Sequence, residues 1–454
     1  MKLSALSLSL GILGIISTSA FAANVENKNL KGETIVCPIE VDYLTIMDAM
    51  SQNTGRAKPT VDCHKPIQLA GGINFDVQTG NLNQGFMGEN NDRFTSNDAY
   101  INITGHLNPW IRAFLEVSDN NINNTALNSA NFNNFPGEYN SPLPGLYSAA
   151  YTLNEVSLQQ AFITFGNPVY FPLFFKFGKQ FQDYGRYKIH PITRNMTQVM
   201  TESLQTSADL SFISKWGKSY LHGSVYTFQN QIKQVDENDV GATTIATLPN
   251  QGDTNFGAQL SLSRVSHKFG FDVGVGYMHD LFGVNDIAYA AAFLQGGPQI
   301  ADGEPVNTRQ AYYTKRVSGA TAYALANSGP FSIEAHYATA LTNFDPFDLY
   351  LAPYDSHDEL PENGPQPWAA DALARYSFTY WERCQALHVG YSLSRDAEAL
   401  FLPYHRWIAG YGVDVMRNAN IGVEYSFDHA YSMTDGGNNK DSSRFAVRAA
   451  VMFG

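Results

Sequence analysis

The chain has 454 residues, 44% hydrophobic and 13% aromatic, yet only 16% are charged. That apolar and aromatic content excludes intrinsic disorder, and after the first two dozen residues no apolar run reaches the ~18 residues that a membrane-spanning helix needs. With 29 Lys+Arg against 42 Asp+Glu, a net charge of −13 and no basic stripe, nucleic acid is excluded as a partner.

The N-terminus reads as a signal for export. Lys2 precedes a mostly apolar run over 3–16, and Ala20 and Ala22 supply a small-x-small cleavage site, so 1–22 is a secretory signal peptide. Residues 23–66 form a separate short segment. It contains Cys37 and Cys63, candidates for a disulfide in an exported chain, and one weak helical stretch over 41–50. This segment could fold into the lumen of a barrel formed by residues 67–454 or remain in the periplasm. The third cysteine, Cys384, reads as a small buried residue.

From Ile67 onward one period dominates. Ile67, Leu69, Gly71, Ile73, Phe75 and Val77 alternate with Gln68, Ala70, Gly72, Asn74 and Asp76, which is a strand with one apolar and one polar face. About sixteen such runs occur, near 67–77, 99–107, 111–118, 157–165, 173–179, 206–213, 219–228, 256–264, 269–277, 317–326, 331–338, 368–378, 387–392, 404–415, 419–427 and 444–453. Short turns follow the even-numbered runs and longer polar stretches mostly follow the odd ones. All short connections then lie at one end of an up-and-down meander, as in an outer-membrane β-barrel. A soluble β-sandwich also alternates, but sixteen strands with no linker exceed one sandwich. The last run, Phe445, Val447, Ala449, Val451 and Phe453, ends on an aromatic in the manner of the signal read by the barrel-assembly machinery. The fold expected for 67–454 is an all-β transmembrane antiparallel barrel in a Gram-negative outer membrane, with outer-membrane lipid as its surroundings. A homo-oligomer is compatible with it.

Lipid assigns the faces. Charge at mid-membrane costs about 2–4 kcal/mol, so the charged parity must line the lumen. Arg112, Glu116, Lys176, Asp272, Glu334, His336, Asp371, Arg375, Arg406, Asp414, Glu424, Arg444 and Arg448 all share that parity. Such mixed charges either set up a transverse field in an aqueous pore or pair off to brace a closed lumen. Arg112, Glu116, Lys176, Arg375, Arg406, Asp414, Arg444 and Arg448 are the candidates for selectivity. The connection after Lys179 carries Tyr184, Arg186, Tyr187 and His190, a candidate first contact surface for a solute outside the cell. The connections 119–154 and 279–315 are long enough to fold inward and constrict the pore, although the Asn-rich start of the first reads most simply as solvated.

Enzymatic motifs are absent: there is no GxSxG, HExxH or P-loop, and no His/Cys array with metal-ligand spacing, so neither a metal nor another cofactor is expected. The run Phe175-Lys176-Phe177-Gly178-Lys179-Gln180-Phe181-Gln182-Asp183-Tyr184-Gly185-Arg186-Tyr187, leading into His190-Pro191-Ile192-Thr193, resembles the LbtU-type siderophore porins. So does Arg406-Trp407-Ile408-Ala409-Gly410-Tyr411-Gly412-Val413-Asp414-Val415 with Ile421-Gly422-Val423-Glu424-Tyr425. The resemblance implies an outer-membrane barrel that takes up a ferric siderophore without the plug machinery of energised transporters. It departs from that family at the N-terminus, where a heptad segment is replaced by the two-cysteine loop. A porin for a ferric siderophore or similar small solute is therefore the expected function. A general diffusion porin, an adhesin or structural barrel, and an outer-membrane enzyme are the alternatives.

Overall fold

A strand whose side chains alternate between lipid and water can satisfy its backbone only by pairing on both edges, which forces closure. The computed structural model of the protein closes in this way. It describes residues 67–453 apart from 82–90, 109, 124–154, 169, 231, 235–252, 265–268, 297–299, 302–303, 306–311, 347, 350–362 and 417. The expected signal peptide, the segment with Cys37 and Cys63, and most of the Asn-rich connection lie outside the described residues.

Each of the sixteen alternating runs becomes one barrel strand. The first eight are β1 (Ile67–Asn81), β2 (Asn91–Asn108), β3 (Ile111–Asn123), β4 (Glu155–Phe165), β5 (Leu173–Phe181), β6 (Leu204–Trp216), β7 (Ser219–Gln229) and β8 (Thr254–Arg264). The second eight are β9 (Gly270–Met278), β10 (Gly319–Ser328), β11 (Phe331–Ala340), β12 (Trp368–Tyr380), β13 (Arg383–Arg395), β14 (His405–Met416), β15 (Ala419–His429) and β16 (Asp441–Phe453). Sequential neighbours pair antiparallel, and β16 returns to β1 with Phe453 opposite Gly71 and Arg448 opposite Asp76. Gly71 has a steric reason here, since a Cβ would lie 2.6 Å from the Phe453 ring. The missing side chain lets the final aromatic pack against β1 at the seam.

The alternation sorts as lipid requires. On β5, Leu173, Phe175 and Phe177 are exposed on the outside while Phe174, Lys176 and Gln180 are buried within. Aromatic pairs mark the rims, including Tyr391–Trp407 at 4.5 Å and Phe331–Tyr376 at 4.9 Å, where an amphipathic ring suits an interface. No helix among the described residues is long and apolar enough to cross a membrane; the strands are the crossing elements. Cys384, on β13, is half-exposed rather than buried.

The two ends differ, as the connection lengths indicate. At one end lie two-residue hairpins such as Trp381-Glu382, where both residues adopt left-handed φ of 50° and 55°, the backbone of a type I′ turn. At the other end the long connections pack together. A four-residue helix α1 (Met196–Val199) precedes β6, and a longer helix α2 (Asn285–Gly296) follows β9. Met196, Met200, Phe282, Ile287, Phe344 and Leu400 share one apolar core with β7 and β9 side chains. In the connection beginning at 279, residues 281–288 are buried. The long-loop end over β5–β14 thus has a hydrophobic core of its own.

Candidate functional site

Residues 182–203, between β5 and β6, run inside the barrel as a strap. It passes from β5 along β7, β8 and β9 to β11, crosses to β15, returns to β12 and ends against α2. Three lumenal carboxylates hold it, each by two successive backbone N–H groups. Glu334 on β11 accepts from Lys188 N (2.9 Å) and Ile189 N (2.6 Å). Glu424 on β15 accepts from Ile192 N (2.7 Å) and Thr193 N (2.6 Å). Asp371 on β12 accepts from Met196 N (3.3 Å) and Thr197 N (2.7 Å), and from the Thr197 hydroxyl. The clasps recur every four residues. The last one also caps α1, whose Asn195 makes no side-chain cap bond, and places negative charge where a helix start presents unpaired N–H groups.

Side chains fix the entry to the strap. Arg186 donates to Asp272 on β9 (2.9 Å), contacts Asp183 (3.5 Å) and lies over the Tyr323 ring at 5.7 Å. Asp183 accepts from Gln259 (2.6 Å) and Ser224 (3.0 Å); burial pushes its carboxyl above the usual range, against the pull of Arg186. The Tyr187 hydroxyl bonds Thr197 and Thr201, and its ring packs on His336 at 4.4 Å. His336 Nε2 in turn donates to the Arg186 carbonyl (2.8 Å). At the exit, Arg194 pairs with Asp286 of α2 (2.6 Å) and Glu202 (3.0 Å), and Leu204 N donates to Asn285 (2.6 Å).

These positions correct one expectation. Tyr184, Arg186 and Tyr187 are not an outer contact surface: they are 1%, 3% and 5% exposed inside the barrel. The reason is that the strap satisfies its backbone from the wall, so a polar sequence that reads as a solvated loop is held indoors. His190 lies on the same strap and is half-buried, as are Lys188, Ile192 and Arg194, alternating with buried Ile189, Pro191, Thr193 and Asn195.

The wall candidates all point inward, and several are paired. Lys176 meets Asp209 at 3.0 Å, Arg406 grips Asp428 with two bonds of 2.6 and 2.8 Å, and Arg448 grips Asp76 with two of 2.7 Å. Arg406 also donates to the Arg194 carbonyl (3.1 Å), tying β14 to the strap. Glu116 accepts from Gln160 (3.3 Å) and Asp414 from Asn420 (3.1 Å). Arg112, Arg375 and Arg444 are half-buried or buried on the same face. Between the two sequence readings of these charges, paired bracing holds for these three cation–carboxylate pairs. Sequence reasoning placed Glu334, Asp371 and Glu424 in the lumen but did not see that they bind backbone. One signal pointed there: their cross-strand neighbours include Leu373, His336, Ser392 and Gly410, with neither Lys nor Arg among them.

Two further arrangements bear on chemistry. Among the described residues, no three His, Cys, Asp or Glu side chains cluster so as to hold a metal ion. Ser261 lies 2.7 Å from His222, whose ring is 4.0 Å from Asp272, a Ser–His–Asp set across strands. His222 is fully buried, and its 4.0 Å separation from the carboxylate, which Arg186 binds, is longer than a hydrogen bond.

Fold and strap together define the class: a sixteen-stranded porin-like barrel with an inward-folded connection. The comparisons agree at that level. No family model matches the sequence. A protein from Coxiella burnetii described as UPF0422 is 25% identical over 282 residues, 62% of this chain and 52% of the relative. A UPF0422 protein from Legionella pneumophila strain Lens is 21% identical over 304 residues, 64% of this chain and 49% of the relative. The chain thus spans about half the length of the curated relatives it matches. Among solved structures, OprB of Pseudomonas putida, determined at high pH, superposes with a TM-score of 0.52 at 12% identity, covering 86% of this chain and 95% of that one.

Proposed function

We propose that the protein is a channel of the Gram-negative outer membrane that carries small hydrophilic solutes through a lumen narrowed by the strap. The observation that carries this reading is the strap itself. Its backbone is pinned to the wall by Glu334, Glu424 and Asp371, while Lys188, His190, Ile192 and Arg194 stay half-exposed inside the barrel. A side-chain row of this kind on a fixed mount narrows a passage without sealing it. The long-loop end faces outward and the short turns face the periplasm, as outer-membrane barrels are built. The signal peptide over 1–22 delivers the chain, and the C-terminal strand ending at Phe453 is what the barrel-assembly machinery engages.

The resemblance to LbtU-type porins supplies a second, finer reading, in which the solute is a ferric siderophore. Lys188 and His190 favour it, because a cationic group and an imidazole on the row attract an anionic chelate. Planar-bilayer recording with purified protein tests the channel: stepwise conductance is expected, and a sealed bilayer refutes it. Saturable binding of one ferric chelate, with loss of growth on that chelate when the gene is removed, tests the siderophore.

A further inference from the structure

The outer face of β10 breaks the pattern of its neighbours. Ala320, Ala322, Ala324 and Ala326 occupy four successive lipid-facing positions and are half-exposed or exposed. Bulky apolar side chains gain most from hydrocarbon, so four alanines in succession forgo that gain. The strands on both sides keep it. Register sets Val275 and Tyr337 on either side of Ala322, and Phe271 and Ile333 on either side of Ala326. The flanking strands stand about 10 Å apart, and the alanines between them leave a trough wide enough for one hydrocarbon chain. From Ala320 to Ala326 it runs about 20 Å along the strand, which at the usual tilt is about 15 Å of depth, one leaflet.

A cationic rim closes the trough at the long-loop end. Ser318 and His279 continue the outward rows beyond Ala320 and Tyr277, and Arg316 lies two residues before Ser318. The Phe256 ring stacks on the His279 ring with centroids 4.5 Å apart, and the Tyr277 hydroxyl donates to Ser318 (3.2 Å). Arg316 Nη1 donates to His279 Nε2 (3.3 Å), which fixes the imidazole as a neutral acceptor there. Its Nε has no hydrogen-bond partner, although the side chain is 35% exposed. Asp280 lies 3.7 Å from that Nε, but it is 1% exposed and accepts from Phe282 N, Asn230 and Tyr313. Lys315 is exposed, its backbone N–H held by Asp348 (2.9 Å). A guanidinium fork and an ammonium thus stand at headgroup level, just beyond the girdle rings of Phe256 and Tyr277.

Charge complementarity picks the occupant. A guanidinium fork and an ammonium match the oxygens of a phosphate, and a basic pocket at a membrane surface selects anionic lipid. A zwitterionic headgroup brings its own cation against Arg316 and Lys315, and a free phosphate has nothing to lay in the trough. We propose that the outer face of β9–β11 seats a phosphorylated lipid of the surrounding leaflet, its phosphate on Arg316 and Lys315 and one acyl chain along Ala320–Ala326. The site lies on the lipid-facing wall, so it does not depend on whether the lumen conducts.

The test takes the purified full chain in dodecyl maltoside, adds dioleoyl phosphatidic acid and dioleoyl phosphatidylcholine in equal amounts, and counts bound lipid by native mass spectrometry. The wild type is expected to retain phosphatidic acid about tenfold over phosphatidylcholine. Lys315→Gln/Arg316→Gln is expected to lower that retention about tenfold, through the loss of charge-assisted hydrogen bonds. Arg383→Gln, which removes an exposed cation at the short-turn end, is expected to leave it unchanged. Ala322→Phe/Ala324→Phe fills the trough with side chains that lipid tolerates and is expected to lower retention as well. Equal retention of the two lipids, or phosphatidic acid retained in full by either double variant, overturns the proposal. Displacement of the lipid by inorganic phosphate marks a site for the free ion and overturns it too. An equal loss in Arg383→Gln marks a general effect of charge and has the same consequence.

Discussion

Removing the Glu424 clasp is expected to free the middle of the strap while the barrel stays assembled. Glu424 is 1% exposed and accepts three hydrogen bonds, from Ile192 N, Thr193 N and His388 Nε2 at 2.7, 2.6 and 3.0 Å. Glu424→Leu leaves two backbone N–H groups without acceptors in a place that excludes most water. Each such loss costs about 1–3 kcal/mol. Taking the lower half of that range for the two amides gives about 3 kcal/mol of local destabilisation. At 1.4 kcal/mol per tenfold, amide exchange over 188–197 should accelerate about a hundredfold, with the strand amides unchanged. Glu424→Gln keeps one acceptor oxygen and should accelerate exchange by only about tenfold. Hydrogen exchange read by mass spectrometry on the barrel in nanodiscs measures both. If the Glu424→Leu strap exchanges within twofold of wild type, the clasp does not hold it and the reasoning fails.

The other expectations concern pairs, protons and the wall. Arg406→Met strands the buried Asp428 carboxylate and should lower stability by about 3–5 kcal/mol in urea unfolding, whereas Arg406→Met/Asp428→Leu should recover most of that loss; equal loss in both variants argues against the pair. Burial pushes Glu398, in the β13–β14 connection, up to about 8, and Asp348, in the β11–β12 connection, to about 6. Because the folded state holds the extra proton, the stability of this end should be greatest at acid pH. It should fall as pH rises through about 4–6 for Asp348 and about 4.5–8 for Glu398. Glu398→Gln should flatten the upper part of that profile in thermal melts, and an unchanged slope counts against it. Gly178→Val should reduce assembled barrel, because φ +135° is closed to a branched side chain and a Cβ would lie 2.2 Å from the Ala161 carbonyl oxygen. Phe453→Ala should slow assembly, seen as less of the heat-modifiable folded band on a gel, and normal assembly would separate the barrel-assembly machinery from this aromatic.

The barrel was legible because lipid imposes a rule on every residue of a strand. A side chain facing hydrocarbon must be apolar and its neighbour need not be, so period two runs through all sixteen strands. The β12–β13 hairpin left no such trace: Trp381 and Glu382 take a left-handed turn without glycine or asparagine, so its usual marks are missing. The strap was not legible for a related reason. Its position depends on backbone N–H groups, which every residue but proline possesses, so Lys188, Ile192 and Met196 carry no sign of being clasped. The sign lay on the partner strands, in carboxylates at inward positions with neither Lys nor Arg directly opposite. Reading it requires the register, which composition and period do not supply.

The clasps have a consequence for how such a barrel changes over generations. Glu334, Glu424 and Asp371 grip peptide groups, so the route of the strap is indifferent to which side chains it displays at 188, 190 and 192. Substitutions there can exchange charge for apolar surface, or bulk for space, while the mount stays in place. On the channel reading proposed above, a lineage could alter this row one residue at a time, without first having to rebuild what holds it.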